Sequence, residues 1–146
     1  MKKESVLLIN KYLSDLGVTY IKLHNLHWNV TGLSFKVVHE YLEGLYDDVT
    51  AKLDEVAELL KQHEEYPQAS LKEYVKSTSI EEIKSKDYSI KEVIEILSKD
   101  VQTLKDEASS LREELLKSDT FDIVNVLEDH IASYNKSLWF IKSMLK

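Results

Sequence analysis

The chain has 146 residues, of which 31% are charged and 43% hydrophobic, and its formal net charge is −7 at pH 7. No apolar run approaches the roughly 20 residues that span a bilayer, and the first apolar stretch is too short for a signal peptide, so we expect a cytoplasmic protein without a membrane segment. The absence of Cys excludes disulfides and thiolate metal sites, and the negative charge disfavours a general nucleic-acid binder because phosphate contacts need clustered Lys and Arg.

Two helices are predicted in the first half of the chain. Only one Pro and three Gly occur, which favours long helices over a sheet with many tight turns. Apolar residues recur every three or four positions, the period of an amphipathic helix, and predict helices over 4–30 and from Phe35 to about 64–67. The first stripe has His27 in a slot expected to be apolar. The short connection around Gly32 makes the two helices antiparallel neighbours.

A long crossover follows from Tyr66 to Tyr88, where no long apolar stripe occurs. It contains two Ser-x-x-Glu sequences, Ser70–Glu73 and Ser79–Glu82, and each is a possible capping box at the start of a helix. We therefore expect one or two short helical turns within the crossover.

Two more long helices complete the chain. A third capping box, Ser89–Glu92, opens a helix whose apolar stripe continues to Leu115, and another helix begins near 119–120 and continues to Leu145. Two antiparallel hairpins joined by one crossover predict an all-α, ferritin-like four-helix bundle, with a short helix between the second and third long helices. We expect a single domain over residues 1–146. Other four-helix bundles remain open on this pattern alone.

Two histidines and three carboxylates on the first two helices are the candidate metal ligands: His27, His39, Glu43, Asp54 and Glu58. Imidazole and carboxylate together suit Fe²⁺, Mn²⁺ or Zn²⁺, although a single helical His or acidic residue is usually solvated. The two histidines lie about equally far from the turn near Leu33, so an antiparallel hairpin brings them to one level. The four candidates on the second helix form an arc that faces away from the core stripe.

The length of the second helix decides how these residues can meet. His39 and Asp54 are separated by about 22 Å along one helix, whereas ligands lie about 2.0–2.3 Å from an ion, so one chain cannot bring both to one metal. A two-fold axis between Tyr46 and Thr50 would bring His39 of one chain near Asp54 and Glu58 of the other. The sequence therefore predicts two equivalent sites per dimer. No Glu has a His three residues later, so a Glu-x-x-His di-iron site within the bundle is not expected.

The run Leu23-His-Asn-Leu-His27-Trp28-Asn-Val-Thr-Gly32, continued through Glu43 to Glu58, closely resembles the Dps, or mini-ferritin, family in residue type and spacing. The helix order and the ending Leu138-Trp139-Phe140-Ile141 also resemble that family. The resemblance implies a hollow dodecamer built from two-fold dimers. Such a shell oxidises Fe²⁺, preferably with hydrogen peroxide, at ferroxidase sites on the dimer axes and stores ferric mineral inside, which protects against oxidative damage.

By the same resemblance, each ferroxidase site takes His27, His39 and Glu43 from one subunit and Asp54 and Glu58 from the other, as iron ligands and catalytic residues. Many members have Asp at the position of Glu43, and the longer side chain here could move the second iron position. Zn²⁺ or Mn²⁺ stays an alternative, because ligand type alone does not choose among first-row metals.

Further residues match family features less specifically. Trp28 corresponds to a tryptophan interpreted as a ring that traps stray radicals, and the alternative is an aromatic that only packs. Asp119 and Asp122 resemble acidic residues lining the three-fold pores through which iron enters the shell, and the alternative is a favourable interaction with a helix N-terminus. His24 is expected at the surface, with a supporting role beside the metal ligands as the alternative.

DNA binding is the first rival function. Family members that bind DNA commonly use a flexible basic tail, but only Lys2 and Lys3 precede the first stripe. Twelve copies with a charge of −7 each would repel duplex DNA at moderate salt, so we expect weak or no DNA binding. The alternatives are a nucleoid-compacting protein with little ferroxidase activity and a structural bundle that binds no metal.

Overall fold

Five helices and one very short parallel sheet make up the computed structural model, which describes residues 1–146. The helices are α1 (Lys3–Asn29), α2 (Phe35–Gln62), α3 (Leu71–Ser77), α4 (Ile90–Leu115) and α5 (Phe121–Leu145). The strands β1 (Val30–Thr31) and β2 (Tyr88–Ser89) pair in parallel, with Val30 opposite Tyr88. None of the helices has the length and apolar character needed to cross a membrane. The predicted ferritin-like bundle with a short crossover helix is confirmed.

One apolar core runs along the four long helices, where α1 packs against α2 and α4, and α4 packs against α5. The predicted stripe of α4 lies in this core, from Ile94 to Leu115, and its members are at most 7% exposed. Each fully buried Leu or Ile contributes about 1.5–3 kcal/mol relative to an exposed one. Burial of these stripes, rather than helix propensity, therefore holds the bundle together.

Local capping sequences define two of the helix starts. At α4, the Glu92 N–H donates to Ser89 Oγ at 3.2 Å and the Ser89 N–H donates to Glu92 Oε2 at 2.7 Å, so the predicted capping box is complete. At α3, Ser70 Oγ accepts from the Glu73 N–H. These contacts satisfy N–H groups that have no partner within the helix.

The second possible capping box of the crossover, Ser79–Glu82, does not begin a helix, because a buried carboxylate of α1 binds this segment instead. The Ser79 N–H donates to Asp15 Oδ1 at 2.7 Å, and the Thr78 hydroxyl donates to the same oxygen at 2.8 Å. Asp15 is fully buried and also pairs with Lys11 at 2.7 Å. A tertiary contact here outweighs the local signal, so only one short helix forms in the crossover.

The middle of the core contains a polar chain that the sequence pattern did not reveal. His130 Nε2 lies 3.0 Å from Glu55, so Nε2 carries the proton and Nδ1 accepts from the Tyr12 hydroxyl at 3.0 Å. The Tyr134 hydroxyl then donates to Tyr12 at 2.6 Å. Burial lowers the pKa of His130 although Glu55 acts in the opposite direction, so the ring is neutral at pH 7.

Candidate metal centre

The two predicted histidines meet where α1 and α2 pack together. The rings of His27 and His39 stack with centroids 3.7 Å apart and planes inclined by 13°. Nδ1 of each ring lies 2.7 Å from the backbone carbonyl oxygen of the other residue. Because a carbonyl oxygen can only accept, both Nδ1 atoms carry a proton, so in the neutral tautomer each ring has its lone pair on Nε2. Fixing Nδ1 in this way is how proteins orient imidazoles that bind a metal through Nε2.

These reciprocal hydrogen bonds also explain how a polar ring occupies a core slot of α1. His27 is only 6% exposed, and burying an unpaired polar group would be costly. The carbonyl of His39 satisfies its Nδ1–H, while Nε2 forms no hydrogen bond within the chain. Both rings therefore have one satisfied nitrogen and one nitrogen available to a ligand.

Glu43, the third residue of this group, is exposed on α2 one turn beyond His39. The hydroxyl of Tyr46 donates to Glu43 Oε1 at 3.2 Å. Partial burial and the neighbouring Glu43 carboxylate raise the pKa of the Tyr46 phenol, so the hydroxyl stays protonated at neutral pH. In the sequence, Tyr46 served only to locate the two-fold axis, although its spacing of three residues from Glu43 places the two side chains side by side on a helix.

Tyr46 belongs to a continuous row of rings in stacked or edge-to-face contact, which we call the aromatic ladder: Phe35, His39, His27, Tyr46 and His24. Successive ring centroids lie 5.0, 3.7, 5.2 and 3.9 Å apart. His24 is half-buried rather than fully at the surface, and its Nδ1–H donates to the Tyr20 carbonyl at 2.7 Å. This contact fixes the His24 ring against its own helix.

Asp54 and Glu58 lie far from the histidines on the same helix. Because α2 is unbroken from Phe35 to Gln62, His39 and Asp54 stay about 22 Å apart. Both carboxylates are exposed and lack a hydrogen bond or ion pair within the chain. No three His, Asp or Glu side chains of the chain lie close enough together to hold a metal ion. One chain thus carries two separate groups of candidate ligands, which we call the histidine half-site (His27, His39 and Glu43) and the carboxylate half-site (Asp54 and Glu58).

The surface between the two half-sites is shallow and built from small or short side chains. A depression on α2 and α3 is lined by residues of this kind together with two larger ones: Asp47, Thr50, Ala51, Leu53, Asp54, Ala57 and Tyr74. Elsewhere on α1 and α3, three further apolar side chains are exposed, namely Ile21, Leu71 and Val75. An exposed face with this composition is typical of a protein–protein contact.

The remaining candidates lie outside this arrangement. Trp28 is 69% exposed with its ring 5.5 Å from that of His24, so it does not pack in the core. Asp122 lies in the first turn of α5, where His63 Nε2 approaches it to 2.8 Å. Burial alone would raise the pKa of Asp122, but the His63 hydrogen bond and backbone N–H groups outweigh burial and lower it. Asp119 is exposed and does not cap α5, whose N-cap residue is Thr120.

Known proteins resemble the chain over nearly its whole length. Residues 6–146 match the ferritin-like domain family. The chain is 34% identical to antigen TpF1 of Treponema pallidum over 140 residues, which cover 94% of this chain and 78% of the antigen. It is 30% identical to DNA protection during starvation protein 2 of Bacillus anthracis, with 99% of each chain covered. The crystal structure of a Dps protein from Bacillus brevis matches with a TM-score of 0.94, 28% identity and 100% of both chains covered.

Proposed function

Because the chain belongs to the Dps family of ferritin-like proteins, we propose that it is an iron-sequestering ferroxidase that stores ferric mineral inside a shell of identical subunits. The observation that carries this proposal is the oriented His27–His39 pair, with two free Nε2 atoms, on a helix whose unpartnered carboxylates lie about 22 Å away. Neither half-site is a sufficient metal site alone. Together they supply two imidazoles and three carboxylates, a ligand set suited to Fe²⁺.

A two-fold dimer would join the half-sites. An axis crossing α2 between Tyr46 and Thr50 places the histidine half-site of one subunit beside Asp54 and Glu58 of the partner subunit, and the reverse. The small side chains around Thr50 and Ala57 let two helices approach closely, and the exposed apolar residues of α1 and α3 are available to be buried. The carboxylates that lack a partner within the chain would acquire one in the dimer.

Two Fe²⁺ ions at each site would each give one electron to hydrogen peroxide. The balanced reaction is 2 Fe²⁺ + H₂O₂ + 2 H⁺ → 2 Fe³⁺ + 2 H₂O. Because one peroxide molecule takes up both electrons, its O–O bond breaks to give water and no hydroxyl radical is released. The chain contributes the ligands and their orientation: each imidazole is fixed through its Nδ1–H. The exposed Trp28 ring is proposed to intercept radicals that escape.

The wider assembly belongs to the same proposal. We propose a dodecamer of two-fold dimers, with Asp119 and Asp122 at pores through which Fe²⁺ enters. Relatives are named for DNA protection, and here we propose that such protection comes from removal of Fe²⁺ and peroxide. A chain with a net charge of −7 has little electrostatic attraction for duplex DNA.

Ferroxidase assays on single variants test the proposal. Peroxide is added to anaerobic protein loaded with Fe²⁺, and ferric absorbance is followed. We expect His27→Ala and Asp54→Ala each to lose at least about 10-fold in initial rate, since each removes an iron ligand. Asp87→Ala is the control, because Asp87 is an exposed carboxylate outside both half-sites. Equal rates in all four proteins would refute the ferroxidase role.

A further inference from the structure

Among the three residues of the histidine half-site, Glu43 has the side chain that the structure restrains least. Its side chain is exposed and has three rotatable bonds, whereas His27 and His39 are each held by a hydrogen bond to a carbonyl. The structure nevertheless gives Glu43 a partner, because the Tyr46 hydroxyl donates to Oε1 at 3.2 Å. Oε2 has no contact of this kind within the chain. One carboxylate oxygen is therefore engaged and the other is free.

Tyr46 is itself held against α1. Its ring stacks on His24 with centroids 3.9 Å apart and planes inclined by 23°, and its edge meets His27 at 5.2 Å and 86°. His24 is in turn fixed by the 2.7 Å hydrogen bond from Nδ1–H to the Tyr20 carbonyl. A chain of contacts thus leads from the backbone of α1 to the carboxylate on α2. These contacts fix the position of the Tyr46 hydroxyl relative to α1, the helix that carries His27.

We propose that Tyr46 is a positioning residue of the proposed metal centre, whose hydroxyl engages one carboxylate oxygen of Glu43 and leaves the other available to the second metal ion. This inference rests on the proposed function and deepens it. The hydroxyl contact restricts the longer Glu side chain, which would otherwise be free to swing away or to bind through both oxygens. An Asp at this position is one carbon shorter, so its carboxylate would lie farther from the hydroxyl and depend less on it.

Cobalt binding to the assembled protein tests this role without relying on turnover. Co²⁺ is titrated calorimetrically and by its visible absorption, and two binding steps per site are expected in the wild type. Tyr46→Phe keeps the ring and its stacking but removes the hydroxyl. We expect the first step to be unchanged and the second to weaken about 10-fold or more, the size of effect typical when a ligand loses its hydrogen-bond partner.

Two further variants separate positioning from general damage. Tyr66→Phe is the matched control, because Tyr66 is an 80% exposed tyrosine outside the aromatic ladder, and it should bind Co²⁺ like the wild type. In a Glu43→Asp background, Tyr46→Phe should change the second step by less than about 3-fold, because the shorter carboxylate depends less on the hydroxyl.

The possible failures are distinguishable. An unchanged second step in Tyr46→Phe would overturn the positioning role, as would an equal loss in the wild-type and Glu43→Asp backgrounds. If the wild-type protein binds no Co²⁺, or if His27→Ala leaves both binding steps unchanged, the proposed function itself fails. A weakened second step that depends on Glu43 supports the inference.

Discussion

Subunit mixing gives the sharpest prediction about how the two half-sites combine. His27→Ala disables the histidine half-site of a chain and leaves its Asp54 intact, while Asp54→Ala does the opposite. In a mixed dimer, one site then carries both defects and the other carries neither. Random pairing of equal amounts makes half of the dimers mixed, and one of their two sites is intact, so about a quarter of all sites should work.

The assay uses co-expressed variants, so that dimers form as the chains fold. Initial rates of ferric absorbance after peroxide addition are compared with the wild type at equal protein and iron. We expect each variant alone to be nearly inactive and the mixture to recover about a quarter of the wild-type rate. The control mixes His27→Ala with His39→Ala, which lie in the same half-site, so every site keeps one defect and no activity returns. A His27→Ala and Asp54→Ala mixture as inactive as its components would refute the cross-chain site.

Three further predictions concern stability. Burial lowers the pKa of His130, so below about pH 6.5 the unfolded chain binds more protons than the folded one. The free energy of unfolding should therefore fall as the pH drops from there through the pKa of the folded state. In urea unfolding, His130→Gln should show a smaller dependence of this free energy on pH. Asp15→Ala removes charge-assisted hydrogen bonds to the crossover and should cost about 2–4 kcal/mol in urea unfolding, with faster hydrogen exchange in the crossover. Gly17→Ala places a Cβ in steric clash with the Tyr74 ring, so it should displace α3 and lower the free energy of unfolding by about 1–3 kcal/mol.

The long helices could be predicted because their signals are local. Apolar spacing gave all four, and the Ser89–Glu92 capping box marks the first turn of α4 as expected. The slot that His27 occupies was also visible, since a polar residue interrupts an otherwise apolar stripe. Local signals fail where a residue distant in sequence competes for the same backbone groups. At Ser79, for example, the buried Asp15 carboxylate accepts from the backbone N–H, and no helix begins there.

Contacts between distant residues could not be predicted from periodicity. Tyr12 and Tyr134 are both buried in the core, but their hydroxyl contact joins residues on different helices. The pairing of β1 with β2 involves only two residues per strand, too few for a recognisable pattern. In the candidate site, the spacing placed His27 opposite His39, but it did not reveal that each ring donates to the other's carbonyl.

A crystal structure of the assembled protein with Co²⁺ in place of Fe²⁺ tests the central claim most directly, because anomalous scattering locates the ion. We expect an ion about 2.0–2.3 Å from Nε2 of His27 or His39, with a carboxylate oxygen of Asp54 or Glu58 of the partner subunit at a similar distance. An ion bound entirely within one bundle, or a histidine pair far from any neighbouring carboxylate, would contradict a site shared between two chains.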